Sequence, residues 1–288
     1  MITMNKSLGI LLVSVLFISG CQFNLREKPN SNSTEEVATA SSESLVRTEG
    51  QYTIFTVEGK ERTTIIQGNS THLESGAPVI FVFHGHGGNA DKASNGYQLG
   101  EYWSDAIIVY MQGEPGVSGV NDPLGQRNGW QKNPGELEDR DVKFFDAVLD
   151  YIQQTYQVDP ERVYVFGHSN GARFCNVLWN MRGDHIAAIS SAAAQGGDLI
   201  PNSLPRSIFI LIGENDPVSP YENQFPSIQL ARTLLGTDES AAITDGYMSI
   251  ETNPTGLELV TYIHPGGHEF PPEALPMVME FFQRNTRP

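Results

Sequence analysis

Apolar residues along this chain fall into two rhythms. One is the short, nearly continuous run. Pro78-Val79-Ile80-Phe81-Val82-Phe83, Ala106-Ile107-Ile108-Val109-Tyr110, Val163-Tyr164-Val165-Phe166 and Ser207-Ile208-Phe209-Ile210-Leu211-Ile212 are such runs. Their length and β-branched or aromatic content predict strands buried on both faces, as in a parallel sheet. Ile186 to Ser190 is a shorter candidate, and Leu257 to Ile263 alternates apolar with other residues. Tyr52 to Ile66 reads as a pair of edge strands around Glu58-Gly59-Lys60. The second rhythm is helical. Val142, Phe144, Phe145, Val148, Leu149 and Ile152 stripe the segment Asp141 to Tyr156. Ala172 to Trp179, Gln229 to Leu235 and Ala274 to Arg284 also read as helices. Strands alternating with helices imply βαβ units, a mostly parallel central sheet and helices on both faces: an α/β class fold.

In such sheets, sites gather beyond the carboxyl ends of the strands. The chemically useful residues here follow strands each time: His84, Ser169, Asp216 and His268. Gly113 to Glu138 is a long polar stretch containing Trp130, and a loop of that length in a compact domain is usually functional.

Composition narrows the class. The formal charge of −16 argues against a nucleic-acid partner, which needs a basic patch. Residues 1–20 read as a signal peptide, with Lys6 as the positive start and Leu8 to Ile18 as a short apolar core. Ile18-Ser19-Gly20-Cys21 resembles a bacterial lipobox, in which Cys21 becomes the lipidated N-terminus; a plain signal peptide is the alternative. The expectation is an exported lipoprotein held on a membrane of the cell envelope by its acyl chains. Residues 21–50, rich in Ser, Thr, Asn and Glu, read as a disordered tether, and the folded domain is expected over 51–288. Cys175, the other cysteine, reads as a buried apolar filler.

The chemistry centres on Gly167-His168-Ser169-Asn170-Gly171, between a strand and a helix. A serine on a tight strand-to-helix turn projects its hydroxyl, and small residues two positions either side let strand and helix approach. Serine needs a base and the base needs an orienting carboxylate. Ser169, Asp216 and His268 supply these, in the chain order of the α/β-hydrolases. Glu214 rivals Asp216, which is preferred because it follows the turn Gly213-Glu214-Asn215. His264 rivals His268, which is preferred because it sits on a glycine-rich loop able to reach Ser169. Oxyanion donors are expected from the backbone N–H groups of Asn170 and of His86, with Gly87 next, in the loop His84-Gly85-His86-Gly87-Gly88. His84 and His86 raise a zinc alternative, but the dinuclear H-x-H-x-D-H pattern fails at Gly88 and Asn89, so no metal and no cofactor are expected.

The segment from about Pro78 to Pro271 resembles the polyhydroxybutyrate depolymerase / feruloyl esterase group of α/β-hydrolases. The resemblance rests on the HGHGG loop, Asp141-Val142-Lys143-Phe144, Val158 to Tyr164 leading into the Gly167–Gly171 turn, Ile212 to Val218, and Gly266-Gly267-His268-Glu269-Phe270-Pro271. The group's nucleophile, acid and base fall on Ser169, Asp216 and His268. Ala172-Arg173 and Phe270 stand where the group often has glycine-methionine and tryptophan, both near the expected pocket. The resemblance implies a serine esterase acting on feruloyl or acetyl esters of polysaccharides, or on a short polyester. Trp130 and its loop could line the acceptor side, or Trp130 could be structural. The alternatives are a non-catalytic binding lipoprotein on the same fold and a serine peptidase. Peptidases of this fold usually carry an extra domain, for which roughly 240 folded residues leave little room.

Overall fold

The computed structural model describes residues 46–68, 75–119 and 121–288. The expected signal peptide, Cys21 and most of the expected tether lie outside these residues. Val46–Glu49, within the stretch expected to be tether, is a strand (β1) paired antiparallel with Tyr52–Val57 (β2). Lys60–Gln67 (β3) follows through the Glu58-Gly59 turn, where both residues have positive φ. These strands are not a free edge pair: β1 covers one side, and β3 pairs with Ile107–Met111 (β5).

The remaining elements are, in chain order, Ala77–Phe83 (β4), Ala90–Tyr97 (α1), β5, Arg140–Thr155 (α2), Val158–His168 (β6), Asn170–Arg182 (α3) and Ala188–Ala192 (β7). Ser207–Gly213 (β8), Tyr221–Gln224 (α4), Pro226–Leu235 (α5), Ile243–Asp245 (β9), Met248–Thr252 (β10), Glu258–His264 (β11) and Ala274–Arg284 (α6) complete the chain. The sheet runs β1-β2-β3-β5-β4-β6-β7-β8-β11-β10-β9. Its six central strands, β5 to β11, are mutually parallel, and antiparallel strands flank them on both sides. The β9–β10 hairpin has too few apolar residues to stand out in the sequence; it forms because β11 presents an unpaired edge.

Period-two alternation explains the two layers. Val79, Phe81 and Phe83 of β4 pack on one face with Phe144 and Phe145 of α2, Phe174 of α3 and Ile228 of α5. Ile80 and Val82 face the other way, toward Ala93 of α1 and Val278 and Phe282 of α6. Each such aromatic or aliphatic side chain contributes roughly 1.5–3 kcal/mol by leaving water. Cys175 is a fully buried part of the first layer, as its sequence context suggests, and burial pushes its thiol pKa up.

Because β4, β6, β7, β8 and β11 are parallel neighbours, their carboxyl ends share one edge. That edge carries His84–Gly88, Ser169, Ala193–Gln195, Asp216 and His268.

Candidate active site

The turn between β6 and α3 has the geometry its glycines allow. Ser169 sits at φ 56°, ψ −123°, a positive-φ conformation that costs a non-glycine residue of order 1–3 kcal/mol. The turn is held by the Ser169 N–H donating to the Ala192 carbonyl (2.8 Å) and by the Arg173 N–H donating to the Ser169 carbonyl (3.0 Å). A Cβ at position 171 would lie 2.1 Å from the Phe83 carbonyl oxygen, and one at 167 would lie 2.5 Å from the Gly171 oxygen. Only glycine lets α3 start this close to β4.

Ser169, His268 and Asp216 form one hydrogen-bonded chain. His268 Nδ1 lies 2.7 Å from Asp216 Oδ2, and Nε2 lies 2.8 Å from Ser169 Oγ. An ionised carboxylate only accepts, so Nδ1 carries the proton and Nε2 offers its lone pair to the serine O–H. Asp216 is buried, which alone would raise its pKa. Hydrogen bonds from His268 and from the Ser219 and Val218 N–H groups outweigh that, and the carboxyl stays below its usual range. Gln224 Nε2 donates at 3.1 Å to Oδ2, the oxygen that also accepts from His268.

The acid and base loops are joined by backbone. Glu214 N–H donates to the His264 carbonyl (2.8 Å), and Asn215 N–H to the Gly266 carbonyl (3.0 Å). The Gly213 Cα faces the Gly267 carbonyl so closely that a Cβ there would sit 2.0 Å away. This register brings Asp216 and His268, and not Glu214 or His264, into the hydrogen-bonded chain with Ser169. Glu214 is exposed and does not line the cleft, and His264 is buried with Nδ1 accepting the Gly266 N–H.

The oxyanion side is similarly constrained. Gly87 N–H is spent on the Asn128 carbonyl (2.7 Å) and Gly88 N–H on the Gly85 carbonyl (2.9 Å). Among the described residues the N–H groups of His86 and Asn170 have no such partner, and both residues line the cleft with Ser169. The His86 ring turns aside, its Nε2–H donating to Asp122 Oδ2 at 3.0 Å. Amides of Arg127 and Gln126 donate to the same carboxylate and hold its pKa low.

His84 is committed to structure. Its Nδ1–H donates to the Gly85 carbonyl (2.8 Å) and Nε2 accepts the Gly113 N–H (3.0 Å). Burial pushes its pKa down to about 4. With both ring nitrogens engaged, the His84–His86 pair offers no chelating geometry.

Trp130 does not line the cleft; of its two sequence readings, substrate-lining and structural, its position fits the structural one. It is fully buried, stacked on Phe174 at 5.5 Å, with Nε1–H donating to the His84 carbonyl. Its backbone clamps the start of α3: Trp130 N–H donates to Asn170 Oδ1 (2.7 Å), and Asn170 Nδ2 donates to the Trp130 carbonyl (2.9 Å). An indole this large is worth more in the core than at a rim, which is why it packs inward. Phe270 is likewise not a cleft residue; it packs on Phe166 (5.0 Å) and Tyr97 (5.7 Å) behind the sheet edge. Arg173, by contrast, does reach the cleft. It ties the 113–138 loop to the loop after β7 through Lys132, Gln195 and Gly196 carbonyls.

One residue escaped sequence reasoning. His168, beside the serine, is partly buried, and its Nε2–H donates to the His268 carbonyl at 2.8 Å. Burial drives its pKa down to about 4, so it stays a neutral donor that fixes the main chain of His268. Nothing in a G-x-S-x-G pattern marks the second position for this task, because its partner lies on a loop 100 residues later.

The cleft over Ser169 measures about 750 Å³. The 113–138 loop, folded back by Gly116–Gly125 and Gly129–Glu114 hydrogen bonds, forms one wall. Ala193, Ala194, Gly197 and Val218 form another, and no phenyl, phenol or indole ring lines it among the described residues.

The parallel sheet, the strained serine turn and the shared strand-end site make this chain an α/β-hydrolase by fold. Its resemblance to the feruloyl esterase-like group of that fold is matched by its relatives. It is similar to NocK of Nocardia uniformis subsp. tsuyamanensis, described as an esterase, at 27% identity over 248 residues, 71% of this chain and 68% of NocK. It is similar to feruloyl esterase B of Neurospora crassa at 32% identity over 104 residues, 35% of this chain and 33% of that enzyme. The acetyl xylan esterase from Aspergillus awamori superposes with a TM-score of 0.58 at 14% identity, covering 77% of this chain and 94% of that one. No family model matches the chain.

Proposed function

We propose that this protein is a serine esterase that cleaves carboxylic esters through an acyl-enzyme on Ser169. The observation that carries the reading is the hydrogen-bonded chain Ser169 Oγ, His268 Nε2, His268 Nδ1, Asp216 Oδ2. Ser169 Oγ attacks the ester carbonyl as His268 Nε2 takes its proton. The oxyanion that develops accepts from the N–H groups of His86 and Asn170. The C–O bond to the alcohol breaks, and His268 returns the proton to the leaving oxygen. Water, deprotonated by the same nitrogen, then attacks the acyl-serine, and Ser169 leaves with the proton while the acid is released. Each oxyanion donor is worth ~2.7–4 kcal/mol in such sites.

The esterase relatives support an ester substrate, and their names place feruloyl and acetyl-xylan esters among those that related folds take. A short polyester is the third candidate. No aromatic side chain among the described residues lines the cleft to stack on a feruloyl ring, which favours an aliphatic acyl group. A non-catalytic binding role would call for a displaced base, and the 2.8 Å contact between His268 and Ser169 speaks against it. The protein is further proposed to be exported and held on a membrane through lipid on Cys21. The Ser-Gly-Cys ending of the apolar leader supports this.

A serine-directed fluorophosphonate should label the wild-type protein and not Ser169→Ala. A wild type that is never labelled ends the serine esterase reading. Metabolically supplied palmitate should be incorporated into the protein and not into Cys21→Ser; equal incorporation would remove the anchor.

A further inference from the structure

The cleft is charged against the rest of the molecule. The chain has 34 acidic and 18 basic side chains. The residues lining the space above Ser169 include three cations, Arg127, Lys132 and Arg173, and one carboxylate, Asp198. Arg173 is spoken for: its guanidinium bonds carbonyls of three residues and Asn133, and lies 3.6 Å from Asp198. The other two make no side-chain ion pair among the described residues. Among the described residues, Lys132 Nζ reaches only the Ser118 carbonyl, at 3.2 Å. The exposed guanidinium of Arg127 has no hydrogen-bond or ion-pair partner among the described residues.

Both cations are placed by fixed backbone. Arg127 N–H is pinned to Asp122 Oδ2, the same oxygen that holds the His86 ring, and the Arg127 side chain then crosses the Gly87 turn beside the oxyanion loop. A Cβ on Gly87 would sit 3.3 Å from Arg127 Cδ. Lys132 is anchored by its N–H to Glu136 (2.6 Å) and by its carbonyl to Arg173 Nε (2.8 Å). Nearby Asp122 is consumed by two backbone amides and His86, so it does not pair with the Arg127 guanidinium.

We propose that Arg127 and Lys132 form a carboxylate-binding subsite, and that the preferred substrate is an ester carrying a free carboxylate away from the scissile bond. This rests on the esterase reading and names its substrate class. A protein of net charge −16 repels anions at long range, and two cations in a recessed cleft, without a side-chain ion pair among the described residues, supply the local field that reverses this. Guanidinium suits bidentate recognition of carboxylate, with the ammonium as a second point charge. The carboxylate can belong to the acyl half, as in a dicarboxylic half-ester, or to the alcohol half, as in an acylated uronic acid.

Two matched pairs, run on the full-length protein, separate these sources. Mono-p-nitrophenyl adipate against its methyl ester tests the acyl half. An acetylated methyl galacturonoside against its methyl uronate, followed by acetate release, tests the alcohol half. In at least one pair the anionic member should show kcat/KM higher by about tenfold at low salt, as for two partly exposed charge contacts. Molar salt should erode the preference. In Arg127→Gln/Lys132→Gln the ratio of anionic to neutral kcat/KM should fall to near one, while Arg127→Lys should keep part of it. Ratios at or below one in both pairs for the wild type, or a preference that survives the double variant, overturn the proposal. If fluorophosphonate labels Ser169 and no anionic preference exists, only the subsite is lost. If Ser169 is not labelled, the esterase reading fails and the subsite with it.

Discussion

Replacing His168 by alanine tests whether the site is built as described. His168 does not touch the reacting atoms; it donates one hydrogen bond, 2.8 Å long, to the carbonyl of His268. Removing the imidazole leaves that part-buried carbonyl without its donor, at a cost of about 1–3 kcal/mol, with a further loss from the cavity. The larger effect is on position. The base loop is zipped to the acid loop through His264 and Gly266, while the His268 backbone itself is held by His168. A slip of about 1 Å in a positioned base costs on the order of 10²-fold in rate, and that is the expected fall in kcat/KM and in fluorophosphonate labelling. The loss should appear in kcat rather than KM, because His168 contacts no substrate-lining space. In His168→Gln the amide nitrogen reaches a place near Nε2, so most of the activity should return. Thermal unfolding run on the same samples separates the two effects. If His168→Ala lowers Tm yet keeps kcat/KM within about threefold of wild type, the positioning role is refuted and His168 is a packing residue alone.

Two further outcomes follow from the same geometry. Gly171→Ala puts a Cβ 2.1 Å from the Phe83 oxygen and 2.6 Å from its carbon, both backbone, so α3 must lift or the oxyanion loop must move. We expect destabilisation of at least about 1–3 kcal/mol by denaturant unfolding together with loss of fluorophosphonate labelling, and a stable, normally labelled variant would contradict the close approach. His84 and His168 remain neutral down to about pH 4, because burial opposes their charging, whereas in the unfolded chain they charge near 6.5. The unfolded state therefore binds more protons between these values, and stability should fall as pH drops from about 6.5 to 4, by up to roughly 3 kcal/mol per histidine. Tm measured across that range should fall less steeply in His168→Gln; an unchanged slope would rule out His168 as a contributor.

Much of this protein was legible in its sequence because the information is local. Continuous apolar runs fix β4, β5, β6 and β8, and the stripe from Val142 to Ile152 fixes α2, because burial on two faces or one face leaves a periodic trace. The serine turn is readable because a close strand–helix approach admits only glycine at 167 and 171. The placement of Asp216 and His268 with Ser169 follows from parallel neighbours sharing one edge. What the tertiary structure decided depends on partners far away in the chain. Trp130 reads equally as a cleft-lining or a structural residue until Phe174 and the His84 carbonyl cover it. Val46–Glu49 looks like tether until β2 offers it a ladder, and β9 and β10 exist only because β11 leaves an open side. His168 has no local signature, since its bond crosses 100 residues, and the lack of an ion pair on Arg127 and Lys132 among the described residues shows only once their neighbours in the cleft are placed. Periodicity records which face of an element is dry; it carries no record of which distant group meets it there.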